Sequence, residues 1–287
     1  MSHITNPSYV TRIMKERGFS TKKRFGQNFL IDQNIVEKII ENADIKEGQW
    51  ALEIGPGLGA LTVHLAERAE HVVAMEIDTA LVAILRETLD NSKTTIWEGD
   101  ALGANWGELL QTAGWQGQPL KFVANLPYYL TTPLIMKALE SDLPFASMVV
   151  MVQKEVATRM LASVGSKDVG VLSLAVQYYA DGRLAMNVPR TVFIPAPAVD
   201  SSVVELKPRA PKVDAPRTEL FAVIRAGFGQ RRKTVRNALK AIAEEWGLSP
   251  EMLDDALLRA NITPGLRAER LSLGDFSTLT KELLKGV

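Results

Sequence analysis

A chain of 287 residues, 46% of them apolar, is long enough for one large domain plus a small one, and it contains no run of eighteen uncharged apolar residues that could cross a membrane. It has no cysteine, which excludes disulfides, thiolate zinc sites and cysteine nucleophiles together and suits a cytoplasmic protein. Charge balances at 33 basic against 33 acidic residues, which argues mildly against a nucleic-acid binder and shifts the question to local distribution. The N-terminal twenty residues lack a continuous apolar stretch and a small-residue cleavage site, so no secretory signal is expected. His3, His64 and His71 share no metal-ligand spacing, so no metal site is expected either.

In chain order, the apolar rhythm predicts an amphipathic helix over 31–47, with Ile35, Ile39 and Ile40 on one side. "WALEIG" (50–55) reads as a short buried strand, 58–69 as a helix and "HVVAMEID" (71–78) as a second strand. A helix over 79–90 leads to a third strand, "TTIWEGD" (94–100), and then to a polar, glycine-rich segment (103–118). "KFVANL" (121–126) is a fourth strand, 131–140 a helix and "ASMVVMVQ" (146–153) a fifth strand. Strands alternating with helices of this length indicate an α/β fold, a parallel sheet covered on both faces. "VLSLAVQYYA" (171–180) suits a helix or a strand, with helix the expectation, and 183–189 and 201–208 read as late strands. Prolines and lysines cluster over 207–216 and mark a linker, so the domains are expected at 1–207 and 208–287. The second is helical over 217–228, 231–246, 250–260 and about 275–285, with Ser249 as an N-cap before Pro250.

"EIGPGLGALT" (53–62) follows a strand and opens a helix, the context of a nucleotide-binding turn. Gly55 and Gly57 let the backbone turn and approach a ligand, but with Ala60 they also satisfy the dinucleotide pattern G-x-G-x-x-A. Glu76 ends the second strand, where a carboxylate could accept from both ribose hydroxyls; strand-end solvation is the plainer alternative. Asp100, ending the third strand at the same edge, is a natural partner for an adenine's amine. This outlines an adenosine pocket without settling the cofactor.

"NLPY" (125–128) narrows the choice. Asn125 terminates the fourth strand, and Pro127 biases Leu126 towards an extended conformation, which could turn its carbonyl outward. The Asn125 amide oxygen and the Leu126 carbonyl would then form two acceptors, with Tyr128 as an aromatic face beside them. Such a group fits a planar base bearing –NH₂, whose lone pair localises as both N–H protons are accepted. The electrophile must be held in line; a sulfonium methyl fits and a nicotinamide does not. A plain strand, proline turn and helix start is the alternative.

"NLPY", "EIGPGLG", "KKRFGQNFL" (22–30), "VFIPAPAVDSSVV" (192–204) and "GQRRKTVRNAL" (229–239) occur in the order found in S-adenosylmethionine-dependent ribosomal RNA adenine dimethyltransferases, which the chain resembles from about residue 20 to 240. The resemblance is closest to the bacterial branch that dimethylates two adjacent adenines near the 3′ end of small-subunit rRNA. It implies a class I methyltransferase fold, Rossmann-like with a seven-stranded, mostly parallel sheet, and a small all-helical C-terminal domain. It implies that Gln27, Asn28 and Leu30 help close the cofactor site, and that Gly55, Gly57, Glu76, Ile77, Asp100, Ala101 and Asn125 contact S-adenosylmethionine. It further implies that Phe193 stacks on the target adenine opposite Tyr128, beside the chemistry of Asn125, Leu126 and Pro127. Taken alone, Phe193 reads as a core residue; paired with Tyr128 it reads as a clamp for an unstacked base.

In that setting Lys22, Lys23, Arg24, Arg231, Arg232, Lys233 and Arg236 are expected to attract RNA phosphate, and the basic residues to be concentrated on one side. The expected partner is small-subunit rRNA in an immature 30S subunit, the expected state a monomer away from membranes. Relatives acting on large-subunit rRNA share most of these motifs, but Leu126 and "FIPAPAVDSSVV" favour the small-subunit branch. The helical tail and "RRKTVRN" disfavour a DNA adenine methyltransferase, and His64 and His71 sit badly for hydride transfer in a dehydrogenase. The intact Asn125–Tyr128 stretch speaks against a non-catalytic assembly factor.

Overall fold

The computed structural model describes residues 4–17, 27–230 and 232–286. Its elements begin with α1 (Pro7–Glu16), β1 (Phe29–Leu30), α2 (Gln33–Ala43), β2 (Trp50–Ile54), α3 (Thr62–Arg68), β3 (His71–Glu76), α4 (Thr79–Thr88) and β4 (Thr94–Glu98). They continue with α5 (Trp106–Thr112), β5 (Leu120–Asn125), α6 (Thr131–Glu140), β6 (Phe145–Gln153), α7 (Lys154–Met160), α8 (Val171–Tyr179), β7 (Ala180–Val188), β8 (Phe193–Ile194) and β9 (Ser201–Pro208). Four helices complete the chain: α9 (Arg217–Gly229), α10 (Val235–Glu245), α11 (Pro250–Arg259) and α12 (Leu273–Leu284).

Seven strands form one sheet in the order β4-β3-β2-β5-β6-β9-β7. The first five are mutually parallel and β9 is antiparallel to β6, as expected for a class I methyltransferase. Strands buried on both faces must be apolar almost throughout, and β2 is buried along its whole length and β5 as far as Ala124. On one face Ala51, Val72, Val123 and Val149 share a core with Val36, Ile39 and Ile40 of α2 and Leu65 of α3. Phe122 points the opposite way and stacks on Trp106 of α5, ring centroids 5.7 Å apart. After β2 the chain goes to β3 on one side and later to β5 on the other. This reversal of strand order opens a crevice at the carboxyl ends of β2 and β5.

The chain divides into two compact units, residues 1–157 with 181–208, and residues 158–180 with 209–287. Residues 158–180, expected with the sheet, group instead with the C-terminal helices. The rings of Tyr178 and Tyr179 on α8 lie 5.2 Å and 5.8 Å from that of Phe221 on α9, which accounts for the grouping. The segment 103–118 is no plain loop: Asn105 caps α5, its Oδ1 accepting from the Gly107 and Glu108 amides at 3.1 and 3.3 Å. α1 and α7 also lie outside the predicted helices, as does a two-stranded pairing of β1 with β8 that joins Leu30 to Phe193. α10 starts at Val235, four residues later than predicted, where the Thr234 side chain caps the Asn237 amide.

Candidate active site at the carboxyl edge of the sheet

The turn after β2 adopts the left-handed conformations that glycine permits, with φ of 72° at Gly55 and 60° at Gly57. A β-carbon at Gly57 would sit 3.3 Å from the Phe29 ring, close enough that the ring would have to shift by a few tenths of an ångström. The turn forms one wall of a cavity of about 1040 Å³, counted with its open mouth. Gln27, Asn28, Leu30, Gly55, Gly57, Glu76, Ile77, Asp100, Ala101, Asn125, Leu126, Pro127 and Tyr128 all line it.

Glu76 is 5% exposed at the end of β3. Its Oε1 accepts from the Ile77 and Asp78 amides, each at 2.9 Å, and its Oε2 from the Gly57 amide at 3.2 Å. Burial pushes the carboxyl up to about 7, against the pull of those three N–H groups. Asp100 accepts from the Leu102 amide through Oδ1 at 2.9 Å, and among the described residues its Oδ2 accepts nothing. Gln27 donates to Asp78 at 2.9 Å, which ties the segment before β1 to the wall holding Glu76.

Glu53 escaped the sequence reading, although an acid inside "WALEIG" was a visible anomaly. It is 1% exposed, lines the cavity, and one of its carboxyl oxygens has no hydrogen-bond partner. Burial is the main reason its carboxyl is pushed up to about 8, with nearby Glu76 adding to the effect.

At the end of β5 the Asn125 Nδ2 donates to the Asn28 carbonyl at 3.4 Å. That assignment leaves Oδ1 as an acceptor, and among the described residues neither Oδ1 nor the Leu126 carbonyl accepts a hydrogen bond. The Tyr128 hydroxyl bonds to Ser201 Oγ at 2.7 Å and anchors the ring's far end to the start of β9. Phe193 does not join this group. It is 2% exposed, belongs to the apolar core that includes Leu30, Val36 and Val188, and does not line the cavity. Through the β1–β8 pairing Phe193 lies opposite Leu30, which belongs to the same core.

Residues 18–285 match the family description "Ribosomal RNA adenine dimethylase". A protein of Alkaliphilus metalliredigens named ribosomal RNA small subunit methyltransferase A is 45% identical over 99% of both chains. One of the same name from Bacillus cytotoxicus is 46% identical over 99% of this chain and 98% of its own. The chain belongs to the ribosomal RNA adenine dimethylase family. A solved dimethyladenosine transferase from Plasmodium falciparum superposes with a TM-score of 0.73 at 28% identity, over 90% of this chain and 98% of that one. The 23S rRNA methyltransferase ErmE, at 24% identity and a TM-score of 0.64 over 89% of this chain and 99% of its own, shares the fold.

As a member of the dimethylase family the chain uses S-adenosylmethionine, and the residues present fit that cofactor. Glu76 Oε2, which accepts only the Gly57 amide, retains acceptor capacity for a ribose hydroxyl. The Asp100 Oδ2 suits an exocyclic amine. Among the described residues no cluster of three His, Asp or Glu could hold a metal ion.

Of the basic residues expected to meet RNA, Lys22, Lys23, Arg24 and Arg231 lie outside the described residues. Arg232 and Lys233 are exposed. The Arg236 guanidinium pairs with Asp254 on α11, the Nη2 arm at 2.6 Å, and both side chains remain partly exposed.

Proposed function

We propose that this dimethylase transfers methyl groups from S-adenosylmethionine to the exocyclic N6 of two adjacent adenines near the 3′ end of small-subunit rRNA, within an immature 30S subunit. The near full-length likeness to small subunit methyltransferase A proteins supports the substrate. The orientation of Asn125 carries the chemistry: its Nδ2 faces the Asn28 carbonyl, which leaves Oδ1 as an acceptor on the cavity wall.

Bound cofactor supplies an electrophilic methyl on a sulfonium. The chain's own contribution is to orient the amine. Asn125 Oδ1 and the Leu126 carbonyl accept its two protons, localise the nitrogen lone pair and stabilise the positive charge that develops there. Tyr128, fixed through Ser201, offers its ring to the base. No strong base is needed, because the ammonium formed is acidic. A monomethylated amine keeps one N–H, so the second transfer relies more on position than on hydrogen bonding.

The protein acts as a monomer, in the cytoplasm where ribosomal subunits mature. Tritium transfer from labelled cofactor to under-methylated small subunits, with the modified nucleoside identified, tests the reading. Dimethyladenosine in the small subunit is expected; label in naked large-subunit RNA alone would overturn it. Asn125→Ala is expected to lower the first transfer by about 10²–10³-fold and the second by less.

A further inference from the structure

Lys137 on α6 has an environment unusual for a lysine. Its Nζ donates to three main-chain carbonyls, those of Ala101 at 3.0 Å and of Leu102 and Ala104 at 2.6 Å each. An ammonium has three N–H donors, and all three are used here. The same nitrogen lies 5.1 Å from the centre of the Trp106 ring, whose Nε1 donates to the Ala101 carbonyl at 2.8 Å. The carbonyls belong to the turn directly after Asp100, so the ammonium serves as a resident cation at its centre. Without it three carbonyl dipoles would converge on one point with nothing to offset their repulsion.

Asp100 is the first residue of this turn. Its carbonyl accepts from the Ala104 amide at 3.1 Å and its Oδ1 from the Leu102 amide at 2.9 Å, which leaves Oδ2 for a ligand. Leu102 and Ala104 are thus each held twice, by an amide towards Asp100 and by a carbonyl towards Lys137. A shift of either would rotate the Asp100 carboxylate.

We propose that Lys137 is a positioning residue for base recognition: by gathering the Ala101, Leu102 and Ala104 carbonyls, it holds the Asp100 carboxylate where it accepts from the cofactor's adenine amine. The inference rests on S-adenosylmethionine occupying this cavity. A role confined to stability would weaken every ligand alike, whereas a role in base reading penalises only ligands that carry the amine.

The test compares S-adenosylhomocysteine with S-inosylhomocysteine, which bears an oxygen in place of the amine, by calorimetric binding to the full chain. Wild type is expected to prefer the adenosyl ligand. Lys137→Met is expected to bind it roughly 10-fold less tightly, with less than about a 2-fold change for the inosyl ligand and with kcat at saturating cofactor maintained. Because the chain has no cysteine, Lys137→Cys can be alkylated at that single position with 2-bromoethylamine, which rebuilds an ammonium of lysine length. Once mass spectrometry shows complete modification, adenosyl affinity is expected to return. Equal losses for both ligands, no loss for either, or an aminoethylated protein as weak as the cysteine variant would each overturn the proposal. Wild type that binds neither ligand would bring down the cofactor reading, and this inference with it.

Discussion

Glu53 places a carboxyl where a parallel strand calls for an aliphatic side chain, and its consequence is a pH dependence of stability. The Glu53 and Glu76 carboxyls are pushed up by burial to about 8 and about 7, from an ordinary value of 4.5. The folded protein therefore binds more protons than the unfolded chain between these limits. The stabilisation is complete below about 4.5 and is lost as pH rises through 7 to 8. The melting temperature of the ligand-free protein is thus expected to fall between about pH 6 and pH 8.5. Glu53→Gln should flatten the fall and be the more stable protein at the upper end; a wild-type melting temperature that rises over this range would contradict the account. At this scale Gly55, Gly57, Glu76, Asp100 and Asn125 were legible, because strand ends and glycine turns are encoded in a few adjacent residues. The surroundings of Phe193 and the ion-pair partner of Arg236 were not. An aromatic before a proline reads alike whether it faces a ligand or the core. The partner that neutralises Arg236 lies eighteen residues away on another helix.

Among the elements, buried strands were the most legible because parallel strands covered on both sides must be written as short apolar runs. The two-residue β1 and β8 carry no period at all, and α5 was hidden by glycines on both sides of it. α12 shows what local chemistry can specify. Ser272 and Asp275 form a reciprocal cap: the Ser272 amide donates to Asp275 Oδ2 at 2.7 Å, and the Asp275 amide to Ser272 Oγ at 3.1 Å. This pair starts the helix at Leu273, two residues before the predicted start. Ser272→Ala is expected to cost about 1 kcal/mol, a fall of about 2–4 °C in melting temperature that calorimetry would detect. Catalysis by the sheet unit should be unaffected.

For the whole molecule, zero net charge conceals a partition. The helical unit holds 16 basic and 11 acidic residues and the sheet unit 17 and 22, so the two carry +5 and −5. The positive unit is the one suited to a polyanion. RNA affinity should fall steeply with salt, and replacing both Arg232 and Lys233 by alanine should lower the slope of log K against log salt by about 2. An unchanged slope would move the phosphate contacts elsewhere. The division into a sheet part and a helical part was legible in the shift from alternating strands to continuous helices. The allegiance of 158–180 was not, since it depends on rings that meet across forty residues of chain. The strand order has a final consequence. Trp50 of β2 faces Leu120 of β5, seventy positions further along. The Gly55 and Asn125 walls therefore meet only after a long loop closes. A nascent polypeptide cannot acquire its methyl donor until this non-local pairing is complete, so ligand capture during synthesis would report the closing of the β2–β5 seam.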